Sequence, residues 1–141
     1  MLFTGLTYCG HPLACAAGLA AVRAYEDENL IERSRRLGET MFAELKQLQQ
    51  RHRLIGDVRG GHGLFAVVEV VKDPVTREPL APWPQTAAPL TALVKEALAE
   101  GVSFAVRGNL IILAPPLVIE EQELSDALNL LDRLINEMEA T

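Results

Sequence analysis

The sequence predicts an α/β fold: a sheet of about three mainly antiparallel strands with helices packed on one face, preceded by a long N-terminal helix. Three observations carry this. Apolar residues recur at three-to-four spacing in separated stretches, which is the mark of one-sided helices. Short β-branched runs bounded by glycine and proline lie between them, and those read as strands. Near the start, an alanine-rich stretch without charge predicts a helix that needs cover on all sides.

The first helix is expected to begin near Pro12, a residue suited to a first turn, and to run to about Asn29. Its small residues Ala14, Ala16, Ala17, Gly18, Ala20 and Ala21 allow close approach by neighbours, and charges appear only from Arg23 onward. The next helix, Ile31 to His52, carries the stripe Leu37, Met41, Leu45 and Leu48. The glycine-rich run Gly56 to Gly63 predicts a turn or bulge before an apolar strand over Leu64 to Val71. Pro74, Pro79, Pro82 and Pro84 then predict a surface loop without regular structure from Asp73 to Gln85.

A third helix is expected over Ala88 to Glu100, with Leu90, Leu93, Val94, Ala97 and Leu98 on one face and Gly101 ending it. Val102 to Val106 and Leu110 to Leu113 read as a hairpin turning at Arg107-Gly108-Asn109, stopped by Pro115-Pro116. The last helix, Glu120 to Met138, opens on acids that complement its dipole and buries Leu124, Ala127, Leu128, Leu131, Leu134, Ile135 and Met138.

Composition narrows the function classes. The 141 residues are 49% hydrophobic, enough for one core of ordinary size. A net charge of −6 disfavours nucleic acid as a partner, because no basic patch is available for phosphates. The uncharged run Gly10 to Val22 falls short of the ~20 residues a spanning helix requires and lacks a basic leader, so neither a membrane span nor a secretion signal is expected. Cys9 and Cys15 are expected as reduced, buried thiols of a cytoplasmic protein. Cys9 and His11 with the remote His62 fall short of a zinc signature, and no metal site is expected.

The chemistry concentrates at Thr7-Tyr8-Cys9-Gly10-His11-Pro12, where a hydroxyl-bearing turn feeds an uncharged helix. Hydroxyls of Thr7 and Tyr8, backbone N–H groups around Gly10 and the positive end of the helix suit an anion such as phosphate. A helix-capping hydroxyl, which needs no ligand, is the alternative account of Thr7. The Gly60-Gly61-His62-Gly63 cluster precedes a strand, so turn geometry explains it better than phosphate binding.

This turn, the Gly56 to Gly60 run with the strand behind it, and Ala114-Pro115-Pro116-Leu117 before an acidic helix start together resemble class III (omega) aminotransferases, in the same order and over nearly the whole chain. The resemblance implies the C-terminal part of a fold-type-I enzyme that uses pyridoxal phosphate. On it, residues 1–28 would close the large domain and lead into the connecting helix, and residues 29–141 would form the small domain. It implies transfer of an amino group between an amine or amino acid and a keto acid, in a homodimer whose Thr7 and Tyr8 turn reaches the phosphate bound by the partner subunit. Arg107 corresponds to a family arginine that meets the substrate carboxylate, although the stretch from it to Ala114 is about two residues shorter than in some relatives; a solvated hairpin arginine is the alternative. Arg59 is a lesser candidate, equally explained by pairing with Asp57 or a nearby acid.

In the family the Schiff-base lysine and the aspartate facing the pyridine nitrogen precede the Thr7 segment. Lys46, Lys72 and Lys95 stand in no such context, so the isolated chain is expected to be inactive. The rival reading is a non-catalytic α/β association or regulatory module. Leu2 and Phe3 with the uncharged half-helix predict an apolar patch that needs cover, hence self-association, a swapped or disordered N-terminus, or poor solubility.

Overall fold

The structure, a computed structural model, describes residue 5 and residues 7–140. Leu2 and Phe3, part of the expected apolar patch, lie outside the described residues. Helix α1 (Pro12–Asp27) is followed by α2 (Leu30–Arg51), the two separated at Asn29, whose φ of 50° is left-handed. Asparagine tolerates that conformation better than most residues, so it breaks one helix into two. No residue of α1 is buried, whereas α2 contributes Leu37, Met41, Leu45 and Leu48 to the core as its spacing predicts.

Strands β1 (Ile55–Gly60), β2 (Ala66–Asp73), β3 (Glu78–Pro79), β4 (Ala105–Arg107) and β5 (Leu110–Leu113) follow, with α3 (Ala88–Ala99) between β3 and β4 and α4 (Glu121–Glu139) at the end. The sheet runs β1-β2-β5-β4 with β3 paired to β2, every pairing antiparallel. Among the described residues there are five strands where about three are expected.

The first addition is β1, where the glycines predict a turn. Gly56 serves close packing instead, since a Cβ there would stand 2.6 Å from Val71 Cγ1. The register shifts between Ile55 and Asp57, so the expected irregularity is present but inside a strand. The second addition is β3, in the proline loop. Pro79 faces Val71 on a two-residue edge strand, where its missing N–H costs no ladder bond to a further neighbour.

The expected strand over Val102 to Val106 is displaced to Ala105–Arg107. Helix α3 holds the earlier residues, because Val102 donates its N–H to the Ala97 carbonyl at 2.9 Å and Phe104 turns into the core. Arg107 is thereby a strand residue opposite Leu110, and the turn narrows to Gly108 and Asn109.

One face of the sheet is covered. Ala66, Val68 and Val70 are fully buried while Val67 and Glu69 between them are half-buried, and Ile111 and Leu113 continue the covered face opposite Val68 and Ala66. Onto it pack the stripes of α2, of α3 (Leu90, Leu93, Ala97) and of α4 (Leu124, Leu128, Leu131, Leu134, Ile135). Leu98, expected on the α3 stripe, is 61% exposed because that stripe is centred on Leu93 and Ala97 and leaves it at the edge. Helix α4 starts with a capping box between Glu120 and Glu123, which satisfies backbone donors at both positions.

Candidate functional site

Thr7 to Gly10 form a turn, closed by the His11 N–H donating to the Tyr8 carbonyl at 3.2 Å. Gly10 holds φ at +74°, a conformation that glycine adopts without strain, and His11 occupies the position before α1. No side chain caps this helix, and its first turn holds no acid. Its leading N–H groups are thus left for water or for an anion. Tyr8 is 78% exposed, with its ring 5.8 Å from that of His11. Thr7, Tyr8 and the helix end present donors to solvent, and that donor set fits a phosphate.

Cys9 and Cys15 are free and exposed, contrary to the expected burial. The reason is geometric: α1 meets the rest of the chain through α2, and its own faces remain uncovered.

Arg107 ends β4 at an exposed position, with its guanidinium carbon 5.8 Å from the centroid of the Trp83 ring. Among the described residues its side chain makes no ion pair and donates no hydrogen bond. Thr7 and Arg107 stand on separate elements, and neither lines the three principal clefts. Among the described residues no contact joins Thr7 or Tyr8 to Arg107.

Arg59 is accounted for within the sheet. It reaches Glu69 at 2.5 Å and Asp57 at 2.9 Å, and these acids, Glu69 foremost, hold its charge firmly. Burial works against the Asp57 charge, but Arg59 and the Val58 N–H outweigh it and keep that carboxyl below its ordinary value. His62 is exposed in the glycine turn, away from Cys9 and His11 in sequence and element. Among the described residues no group of three or more His, Cys, Asp or Glu gathers as a metal site.

Sequence reasoning missed His52. Only 6% exposed, it follows α2 and places Nε2 2.5 Å from Asp132 and Nδ1 3.2 Å from Glu139, both on α4. Glu139 also accepts the Leu54 N–H at 2.9 Å. Burial opposes the Glu139 charge, yet the Leu54 N–H and His52 overcome it and hold the carboxyl below 4.5. This cluster ties the end of α2 to α4. Asp132 and Glu139 sit two helical turns apart beside the buried stripe, a spacing that could have revealed it.

The three lysines lie on α2, β2 and α3. Lys46 Nζ donates to Gln49 Oε1 at 3.0 Å and lies 5.4 Å from the Phe42 ring centroid. Lys72 pairs with Glu78 at 2.9 Å, and Lys95 is exposed on α3.

Residues 2–135 match the family model described as aminotransferase class-III. The chain belongs to the class-III aminotransferase family. Among curated members, ethanolamine-phosphate phospho-lyase homolog 1 of Caenorhabditis elegans is 36% identical over 135 residues, covering 94% of this chain and 28% of that protein. The 5-aminovalerate aminotransferase DavT of Pseudomonas aeruginosa is 34% identical over 137 residues, covering 95% of this chain and 30% of its own length. An amine transaminase from an uncultivated Pseudomonas species, solved with pyridoxal phosphate bound, superposes with a TM-score of 0.84 at 35% identity, over 97% of this chain and 30% of that one. The chain thus spans under a third of the class-III relatives it matches, and its α/β fold with an antiparallel sheet is that of fold-type-I transaminases. Among the described residues no helix is long and apolar enough to cross a membrane.

Proposed function

We propose that these residues form the small domain and the phosphate-touching turn of a pyridoxal-phosphate-dependent aminotransferase, which moves an amino group between an amine or amino acid and a keto acid. The observation that carries this is the uncapped start of α1, framed by Thr7, Tyr8 and left-handed Gly10 and free of acids in its first turn. Helix polarity and unpaired N–H groups there offer a phosphate what it needs without a basic side chain.

Residues 1–28 belong with the large domain and residues 29–141 with the small one. Support comes from the Asn29 break and from burial, which is absent along α1 and begins at Leu30. In a homodimer, Thr7 and Tyr8 would hold the phosphate of the cofactor bound by the partner subunit. When bound, pyridoxal phosphate supplies an electron-accepting ring that stabilises negative charge on the substrate carbon. Arg107 would bind the substrate carboxylate through its two-pronged N–H donors. None of Lys46, Lys72 and Lys95 stands in the sequence context of the family's Schiff-base lysine, so these residues alone would not complete the transfer. The free thiols Cys9 and Cys15 accord with a cytoplasmic setting.

The uncovered apolar side chains Leu13, Leu19, Val22 and Tyr25 of α1 support association with a further domain or a second copy. The test is made in the cofactor-loaded enzyme containing this segment. Arg107→Ala should weaken acidic substrates far more than simple amines; equal losses on both would remove Arg107 from the site.

A further inference from the structure

The proline loop is fastened to the β4–β5 turn at three adjacent points. Asn109 treats Ala81 as a strand neighbour: its Nδ2 donates to the Ala81 carbonyl at 2.8 Å and its Oδ1 accepts the Ala81 N–H at 3.2 Å. The Asn109 carbonyl in turn accepts the Val70 N–H at 2.8 Å, so the latch is anchored in β2. Beside it, Trp83 lies on Gly108, where a Cβ would stand 2.7 Å from the indole ring. Gly108 also holds φ at +60°, so both backbone conformation and clearance favour glycine there. The third point is the Arg107 guanidinium over the same ring.

Trp83 is 62% exposed, and the Arg107 guanidinium carbon lies 5.8 Å from the centroid of its ring. An aromatic face attracts a guanidinium and narrows the orientations its long side chain explores, while the in-plane N–H groups stay free for a two-oxygen partner. Among the described residues those donors have no acceptor, in a chain whose net charge is −6.

We propose that Trp83 is a positioning residue that holds Arg107 ready for a carboxylate, with Asn109 and Gly108 fixing the loop so that the ring stays in place. This rests on the carboxylate reading of Arg107 given above. The gain is pre-organisation: the side chain is ordered before the acid arrives, so less freedom is lost on binding. The proline loop, whose prolines limit its own freedom, is the strap that carries the ring.

The test uses the cofactor-loaded enzyme that contains this segment, labelled at the arginine side chains, with glutarate as the probe at constant ionic strength set by chloride. The Arg107 Nε–Hε signal is followed by NMR in the wild type, Trp83→Leu, Trp83→Phe and Arg107→Lys, the last assigning the signal. A saturable shift of that signal is expected in the wild type. Trp83→Leu should raise the dissociation constant about 2–5-fold, the size of an exposed cation–π contact, and Trp83→Phe should recover part of the loss because it restores a ring face. Equal dissociation constants in the wild type and Trp83→Leu would overturn the role of Trp83 while leaving the carboxylate reading intact. The absence of any saturable shift in the wild type would overturn the carboxylate reading and this proposal together.

Discussion

Gly38 on α2 and Gly63 in the β1–β2 turn meet backbone to backbone, so closely that a Cβ on Gly38 would stand 2.2 Å from the Gly63 carbonyl oxygen. The turn is held there by Ser34, whose Oγ accepts the Leu64 N–H at 3.1 Å. The glycine-rich cluster is therefore a docking point for α2 and gives the hairpin its place on the helix layer.

Gly38→Ala must force backbone apart, and overpacking of this kind costs about 1–3 kcal/mol. Urea denaturation should show a lower midpoint with little change in slope. Gly18→Ala, where a Cβ would meet nothing within 4 Å inside a helix, should hold or raise the midpoint. A Gly38→Ala protein as stable as wild type would mean that the turn does not pack as described.

The His52 cluster predicts how stability responds to acid. Glu139 is held below its ordinary 4.5, so its contribution is present above that pH and is lost as pH falls through the lower folded value. Asp57, held below 3.8 after burial is outweighed by Arg59 and the Val58 N–H, adds a loss of the same sign at lower pH. Glu139→Gln should cost about 1–2 kcal/mol at neutral pH and flatten the fall in stability below the carboxylate range. Parallel acid limbs in the variant and the wild type would contradict this.

The helix layer was legible in the sequence because its stripes have a period that little else produces, and Leu37, Met41, Leu45 and Leu48 fall inside as their spacing requires. Strand β1 was not, since Gly56 and Gly60 look like punctuation until Val71 and Phe65 are seen pressed against them. In the same way Pro79 hides β3, which exists only because an edge strand can dispense with one N–H. At the candidate site, Thr7 and Tyr8 could be named from local pattern, and Arg107 from the family resemblance alone. Trp83 and Asn109 could not, because their meaning comes from contacts across the fold.

Arg33 joins α2 to the entry of α4. Its Nη2 donates to the Ile119 carbonyl at 2.6 Å and pairs with Glu120 at 3.0 Å. Arg33→Ala should cost about 1–2 kcal/mol and speed hydrogen exchange at the start of α4, where the capping box loses its support. Exchange that rises uniformly over the chain, or nowhere, would contradict a local tie.

Cover over α1 can be read from its thiol. Cys15 is exposed in the single chain, so in dilute solution it should react with a maleimide at the rate of an unhindered cysteine. If a second copy covers α1, the rate should fall as concentration rises, in step with the association seen by sedimentation. A rate independent of concentration alongside clear association would place the contact elsewhere.

The proposal that the Thr7–Gly10 turn faces the cofactor phosphate is tested most directly with pyridoxamine 5′-phosphate, which has no aldehyde to react with lysines, compared with pyridoxamine in an NMR titration of the labelled chain. The backbone signals of Thr7, Tyr8, Gly10, Leu13 and Ala14 should move with the phosphorylated compound and stay still with the other. Equal responses to both, or shifts confined to other parts of the chain, would contradict the assignment of this turn to the cofactor phosphate.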